Sequence, residues 1–237
     1  MREYLIVDDN RPFAENLAEI VRDLGADVAI AESGAEAIEL ARQRRFDCFI
    51  SDMRMPFMGG AEVVHRIRRI DPGVPAIVVT AHVGDNDLAA ARQEGLLSVL
   101  PKPVPIDRLM EILRGARRDG LAVIVEDDPQ MSDNLSEALR GHGFGTVSAG
   151  SILETERLGP VRPFVALVDL HVPGGPHGEA MRLLSEKYPG LPMVVVTGYH
   201  DPPPVSFEAL FQKPFDTHEL VAAVERLHAR HLAALNR

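Results

Sequence analysis

Hydrophobic residues along this chain follow two spacings, one typical of buried strands and one typical of amphipathic helices. Short apolar runs predict strands, and apolar residues at every third or fourth position predict helices that bury one face. In the first half, the predicted strands are residues 4–7, 27–31, 46–51, 76–80 and 98–100, and the predicted helices are residues 12–24, 35–44, 61–70, 87–94 and 107–117. This alternation predicts an α/β fold, with a parallel sheet covered by helices on both faces.

The pattern of the first half starts again near the middle of the chain. Residues 121–127 repeat the character of residues 4–9, because each is an apolar run followed by two acids. An Asp and a Thr separated by 28 residues also occur in both halves, as Asp52 with Thr80 and Asp169 with Thr197. This internal repeat predicts two tandem domains, residues 1–118 and residues 121–237.

The two halves differ between their fourth and fifth strands. Thr80 precedes Lys102 by 22 residues, whereas Thr197 precedes Lys213 by only 16. The shorter interval contains a Pro-rich stretch, residues 201–204, which opposes helix formation. We therefore expect the fourth helix of the second domain to be shortened or missing.

The composition of the chain argues against two classes of binding partner, nucleic acids and membranes. A formal net charge of -10 repels phosphate backbones, and an aromatic content of 5% without Trp offers little surface for base stacking. The single cysteine, Cys48, lies in an apolar run, which indicates a buried thiol in a reducing compartment. No stretch approaches the ~20 apolar residues that span a bilayer. We expect a soluble, cytoplasmic protein without nucleic-acid or membrane partners.

Polar residues follow four strands of the first predicted sheet. Asp8 and Asp9 follow the first strand, Asp52 the third, Thr80 the fourth and Lys102 the fifth. Because the carboxyl ends of parallel strands meet at one edge of a sheet, we expect these side chains to form a site.

The chemistry of this site follows from its charges. Three crowded carboxylates repel one another, and a hard divalent cation, most plausibly Mg²⁺, offsets that repulsion. Asp52 is then a nucleophile toward phosphorus, while Lys102 and Thr80 stabilise the transferring oxygens. The matching residues of the second domain are Glu126, Asp127, Asp169, Thr197 and Lys213.

Four motifs of the first domain carry a family resemblance: Val7-Asp8-Asp9, Asp52-Met-Arg-Met-Pro56, Val79-Thr80-Ala81 and Lys102-Pro103. They resemble the receiver domains of two-component response regulators, and the resemblance extends over nearly the whole chain. It implies two flavodoxin-like (βα)5 domains whose aspartates take phosphate from a sensor histidine kinase. It also implies that Mg²⁺ is held by the acids together with the main-chain carbonyl of Arg54, and by His171 at the matching position of the second domain.

The resemblance leaves three functional interpretations open. The first is a stand-alone tandem-receiver protein that signals through protein contacts, with homodimerisation left open and no turnover of an external substrate. The second is a phosphate sink or relay whose second domain is a docking pseudo-receiver. The third is a haloacid dehalogenase-type phosphatase, although Arg54 and His171 stand where such enzymes carry a second Asp.

Several residues receive a structural rather than a functional interpretation. The aromatic residue that the family often has three positions before the lysine is replaced by Val99 and Leu210. The loop from His171 to His177 is interpreted as a solvated turn, in preference to a metal site formed by the two imidazole rings. His228 on the last helix, and the arginines near helix ends such as Arg68, are expected to be solvated.

Overall fold

The computed structural model describes residues 1–81, 91–92, 94–159, 161–199 and 203–235. The chain divides into two compact units, Met1–Asp119 and Gly120–Arg237, which we call domain 1 and domain 2. Each domain contains its own five-stranded sheet, in which every strand is parallel to its neighbours.

Domain 1 alternates strands and helices as predicted. Its strands are β1 (Glu3–Val7), β2 (Asp27–Ala31), β3 (Cys48–Asp52), β4 (Ala76–Thr80) and β5 (Ser98–Pro101). Its described helices are α1 (Arg11–Arg22), α2 (Gly34–Gln43), α3 (Gly60–Ile70) and α4 (Ile106–Gly115). The strand order is β2-β1-β3-β4-β5. The helix predicted at residues 87–94 falls largely outside the described residues.

Domain 2 has the same topology. Its strands are β6 (Leu121–Val125), β7 (Gly145–Ala149), β8 (Val165–Val168), β9 (Met193–Thr197) and β10 (Ala209–Gln212). Its helices are α5 (Pro129–Gly141), α6 (Ile152–Glu156), α7 (Glu179–Lys187) and α8 (Thr217–Leu235). The order β10-β9-β8-β6-β7 is that of domain 1 read from the other edge. Both domains therefore have the doubly wound, flavodoxin-like α/β fold that was predicted.

The described part of the connection between β9 and β10 agrees with the expectation of a shortened or missing helix. Residues 198–199 and 203–208, the described part of this connection, contain no helix. Proline fixes its own backbone angle and has no amide hydrogen to donate, so a Pro-rich stretch opposes helix formation in this connection.

Each sheet separates two hydrophobic layers. Along β1, Leu5 and Val7 pack into one buried cluster of domain 1, whereas Tyr4 and Ile6 pack into the other. Alternate strand residues point to opposite faces, so a strand that is apolar throughout is buried on both sides. No helix in the described ranges combines the length and apolarity needed to cross a membrane.

Local sequence sets the helix ends that frame the sheet. The Asn10 side chain accepts a hydrogen bond from the Phe13 amide at 3.1 Å, and Ser33 accepts one from Glu36 at 3.3 Å. Such N-caps satisfy amides that have no partner within the helix. The chain leaves α1 through Gly25, whose φ of 73° is accessible to glycine without strain.

Two expectations of solvated side chains were wrong. His228 is only 3% exposed, and its ring makes edge contacts with Phe144 and Phe164. Arg68 is 5% exposed, and it donates to the Gly95 carbonyl at 2.7 Å. Both residues lie on helices, but the neighbours that bury them come from distant parts of the chain.

Candidate functional site

The carboxyl ends of three strands place a lysine beside two aspartates in domain 1. Asp8 follows β1, Asp52 is the last residue of β3, and Lys102 follows β5. The Lys102 ammonium lies 2.8 Å from the Asp8 carboxylate and 2.9 Å from that of Asp52. The predicted convergence of residues 8, 52 and 102 is therefore present.

Asp9 completes an acidic cluster at the same edge. One oxygen each of Asp8, Asp9 and Asp52 lies within 4.8 Å of the others. Asp8 is buried, Asp9 is exposed and Asp52 is intermediate, so the cluster is open to solvent on one side. Carboxylate oxygens at this separation match the donor set that Mg²⁺ prefers.

The electrostatic balance of the cluster is set by burial and by Lys102. Burial raises the pKa of Asp8, and hydrogen bonds from Lys102 and the Asn10 amide oppose that rise without cancelling it. For Lys102, burial alone lowers the pKa, but its hydrogen bonds to Asp8 and Asp52 outweigh burial and raise it. The lysine therefore remains charged, while Asp8 is less acidic than an ordinary aspartate.

Thr80 and Lys102 are held at the site by the sheet and by packing. Thr80 is the last residue of β4 and only 1% exposed. The Lys102 ammonium also lies 4.5 Å from the centre of the Phe13 ring, which stabilises the cation. Arg54, two residues beyond Asp52, has an exposed side chain.

A close approach between β3 and α3 fixes the loop beyond Asp52. The Gly60 amide donates to the Met53 carbonyl at 2.9 Å. A Cβ atom at residue 60 would lie 2.4 Å from the main-chain oxygen of Asp52, so only glycine fits there. The start of α3 is thereby held against the end of the strand that carries Asp52.

Domain 2 reproduces this geometry with a glutamate in place of Asp8. The Lys213 ammonium lies 2.7 Å from both the Glu126 and the Asp169 carboxylates. Oxygens of Glu126, Asp127 and Asp169 form the second acidic cluster. Burial raises the pKa of Glu126 despite the opposing effect of Lys213. Thr197 ends β9 and is fully buried.

The loop after Asp169 differs from the expected solvated turn. Val172 is 4% exposed and forms an isolated bridge with Gly175. The His171 ring stacks on Tyr199, with ring centres 3.8 Å apart. Neither His171 nor His177 belongs to the acidic cluster. The sequence interpretation missed Tyr199, although its place two residues after Thr197 was a signal that could have found it.

Comparisons with known proteins agree with the geometry. The family model of the response regulator receiver domain matches residues 4–114, which lie in domain 1. A response regulator receiver protein of Anaeromyxobacter sp. (strain Fw109-5) is 66% identical over 228 residues, covering 96% of each chain. The transcriptional regulatory protein GlrR of Escherichia coli K12 is 38% identical over 112 residues, or 47% of this chain and 25% of GlrR.

One solved structure is the receiver domain of the sensor histidine kinase PA1611 from Pseudomonas aeruginosa PAO1, with a magnesium ion coordinated in its active site cleft. It is 30% identical, covers 48% of this chain and 94% of its own, and gives a TM-score of 0.45. Family membership rests on the Anaeromyxobacter relative, which matches both domains of this chain at high identity. The chain therefore belongs to the response regulator receiver proteins of two-component signalling.

Proposed function

We propose that this protein is a tandem-receiver response regulator that accepts phosphoryl groups from a sensor histidine kinase on Asp52 and Asp169. The observation that carries this proposal is the lysine that contacts both a buried acid and the candidate acceptor in each domain. We further propose that the protein acts in the cytoplasm, through protein contacts.

The proposed reaction is an in-line transfer. A carboxylate oxygen of Asp52 forms a bond to phosphorus as the bond from phosphorus to the donor imidazole breaks, and the imidazole nitrogen keeps the electron pair. The Lys102 ammonium neutralises charge on the transferring oxygens, and the Thr80 hydroxyl donates a hydrogen bond to one of them. In domain 2, Asp169 is the nucleophile, and Lys213 and Thr197 take the two stabilising roles.

The donor sets of both domains fit magnesium. Each acidic cluster offers three carboxylates within 4.8 Å of one another. We propose that the main-chain carbonyls of Arg54 and His171 complete these donor sets. The bound ion would supply positive charge beside the phosphoryl oxygens.

Two features support a phosphorylated signalling protein over a phosphatase with external turnover. Arg54 and His171 occupy the position two residues after each nucleophile, so no carboxylate stands there as a general acid. The Lys102 and Lys213 ammonium groups are poor substitutes for that acid, because their raised pKa makes them weaker proton donors than an ordinary lysine.

A second candidate function is favoured by domain 2 itself. The described part of its β9–β10 connection lacks a helix, and the Asp169 side chain is 6% exposed compared with 12% for Asp52. A less accessible acceptor is compatible with a docking pseudo-receiver, or with a relay or sink in which only one domain turns over phosphate readily.

Intact-mass measurement after incubation with Mg²⁺ and acetyl phosphate tests both candidates. Two added phosphoryl groups, falling to one in Asp52→Ala and in Asp169→Ala, would support two acceptors. One group that is lost only in Asp52→Ala would identify domain 2 as a pseudo-receiver. The matched control is Asp23→Ala, which removes an exposed acid outside the site and should behave as wild type. Absence of any added group would overturn the proposal.

A further inference from the structure

The stacked rings of His171 and Tyr199 lie in the two loops that carry the site residues of domain 2. His171 is two residues beyond Asp169, and Tyr199 is two residues beyond Thr197. Their ring centres are 3.8 Å apart, and the ring planes differ by 30°. The stack therefore joins the loop after the acceptor to the loop after the threonine.

The backbone amide of each stacked residue donates a hydrogen bond to a side chain of the candidate site. The His171 amide donates to the Asp169 carboxylate at 3.1 Å. The Tyr199 amide donates to the Thr197 hydroxyl oxygen at 3.2 Å. Asp169 is 5% exposed and Thr197 is fully buried, so solvent competes little for either acceptor. The backbone of each ring-bearing residue is therefore hydrogen-bonded to a side chain of the candidate site.

We propose that the His171–Tyr199 stack is the conformational readout of domain 2, closed while Asp169 is free and separated once Asp169 carries a phosphoryl group. This inference rests on the proposed function of Asp169. Phosphorylation removes the negative charge from the carboxylate oxygen that accepts from His171, and it draws the Thr197 hydroxyl toward the phosphoryl oxygens. Phosphorylation therefore changes both hydrogen bonds that hold the backbone of the stacked residues.

Two features of the chain place the readout at this stack. Leu210, three residues before Lys213, has no ring that could move between two positions. Tyr199, by contrast, is 56% exposed, so the state of its ring is presented at the protein surface. The corresponding residues of domain 1 are Arg54, which is exposed, and His82, which lies outside the described residues.

Proton NMR of the histidine rings in an Asp52→Ala background tests the inference, because Asp169 is then the single remaining candidate acceptor. Stacking on Tyr199 shifts the His171 ring protons upfield, and the His171→Gln variant identifies their signals. The Tyr199→Leu variant gives the chemical shift of the His171 ring protons without stacking. The Tyr199→Phe variant keeps a ring at residue 199 and should keep the upfield shift.

We expect Mg²⁺ and acetyl phosphate to move the His171 signals toward the Tyr199→Leu position, and to leave them unmoved when Asp169→Ala is added. Intact mass is measured on the same samples. A phosphorylated protein with unmoved signals overturns the readout and leaves the proposed function standing. A protein without added mass overturns the acceptor role of Asp169, and with it the readout.

Discussion

Phe57 and Gly174 both have a φ angle in the left-handed region, and each lies five residues after the candidate phosphoacceptor of its domain. Their φ angles are 66° and 88°. Gly174 adopts this conformation without strain, whereas Phe57 has a Cβ atom that disfavours it. The Phe57 ring is fully exposed, so burial does not offset the strain.

Replacing Phe57 with glycine should therefore stabilise domain 1. Relief of the left-handed conformation is worth roughly 1–2 kcal/mol, and the added freedom of glycine in the unfolded chain offsets about 0.4–1 kcal/mol of that. We expect a net gain of roughly 0.5–1 kcal/mol in the free energy of unfolding, measured in urea. Gly174→Ala is the reciprocal control and should be destabilising. A less stable Phe57→Gly protein would show that the ring makes a stabilising contact.

Magnesium binding should weaken on acidification at a higher pH than ordinary carboxylates would cause. Burial raises the pKa values of Asp8 and Glu126, so as the pH falls these groups take up a proton before an unshifted acid does. A protonated oxygen is a poor ligand, and the proton competes with the metal. Calorimetric titration with MgCl₂ from about pH 7.5 to about pH 5 measures the effect.

Asp8→Asn is the matched variant for the pH experiment, since it should remove magnesium binding in domain 1 and leave that in domain 2. Affinity that stays constant down to the ordinary pKa of a carboxylate would contradict the argument from burial.

The Cys48 thiol should react with iodoacetamide only when domain 1 opens. Its side chain is fully buried, and burial raises the pKa of the thiol, so reactive thiolate is scarce in the folded protein. We expect alkylation more than about tenfold slower in the native protein than in urea-denatured protein, followed by mass spectrometry. Equal rates would show that β3 is accessible in the folded state.

Lys187→Met should destabilise domain 2. The Lys187 ammonium lies 2.8 Å from the carbonyl oxygens of both Glu156 and Leu158, at the end of α6. Loss of this charged donor should lower the free energy of unfolding by roughly 1–3 kcal/mol, which urea unfolding measures. Arg182→Met, which removes an exposed cation from the same helix, should change stability by less than about 0.5 kcal/mol. Similar losses in both variants would make net charge, not this contact, the cause.

Much of the fold and of both clusters could be predicted because the signals are local or repeated. An apolar run ending in an acid marks the end of a buried strand, and parallel topology brings such ends together. Asp8, Asp52 and Lys102 could therefore be placed at one site before any contact was known. The proline stretch likewise predicted that the described part of the β9–β10 connection has no helix, because the effect of proline on backbone conformation depends on no other segment.

The sequence by itself thus determined the two domains and the parallel sheet of each domain. It also determined that the acids and the lysine of each domain lie at the same edge of the sheet. Only the tertiary structure decided that His228 and Arg68 are buried and that Tyr199 stacks on His171. The physical reason is that periodicity reports which face of an element is apolar, whereas burial of a single polar side chain depends on atoms supplied by distant segments.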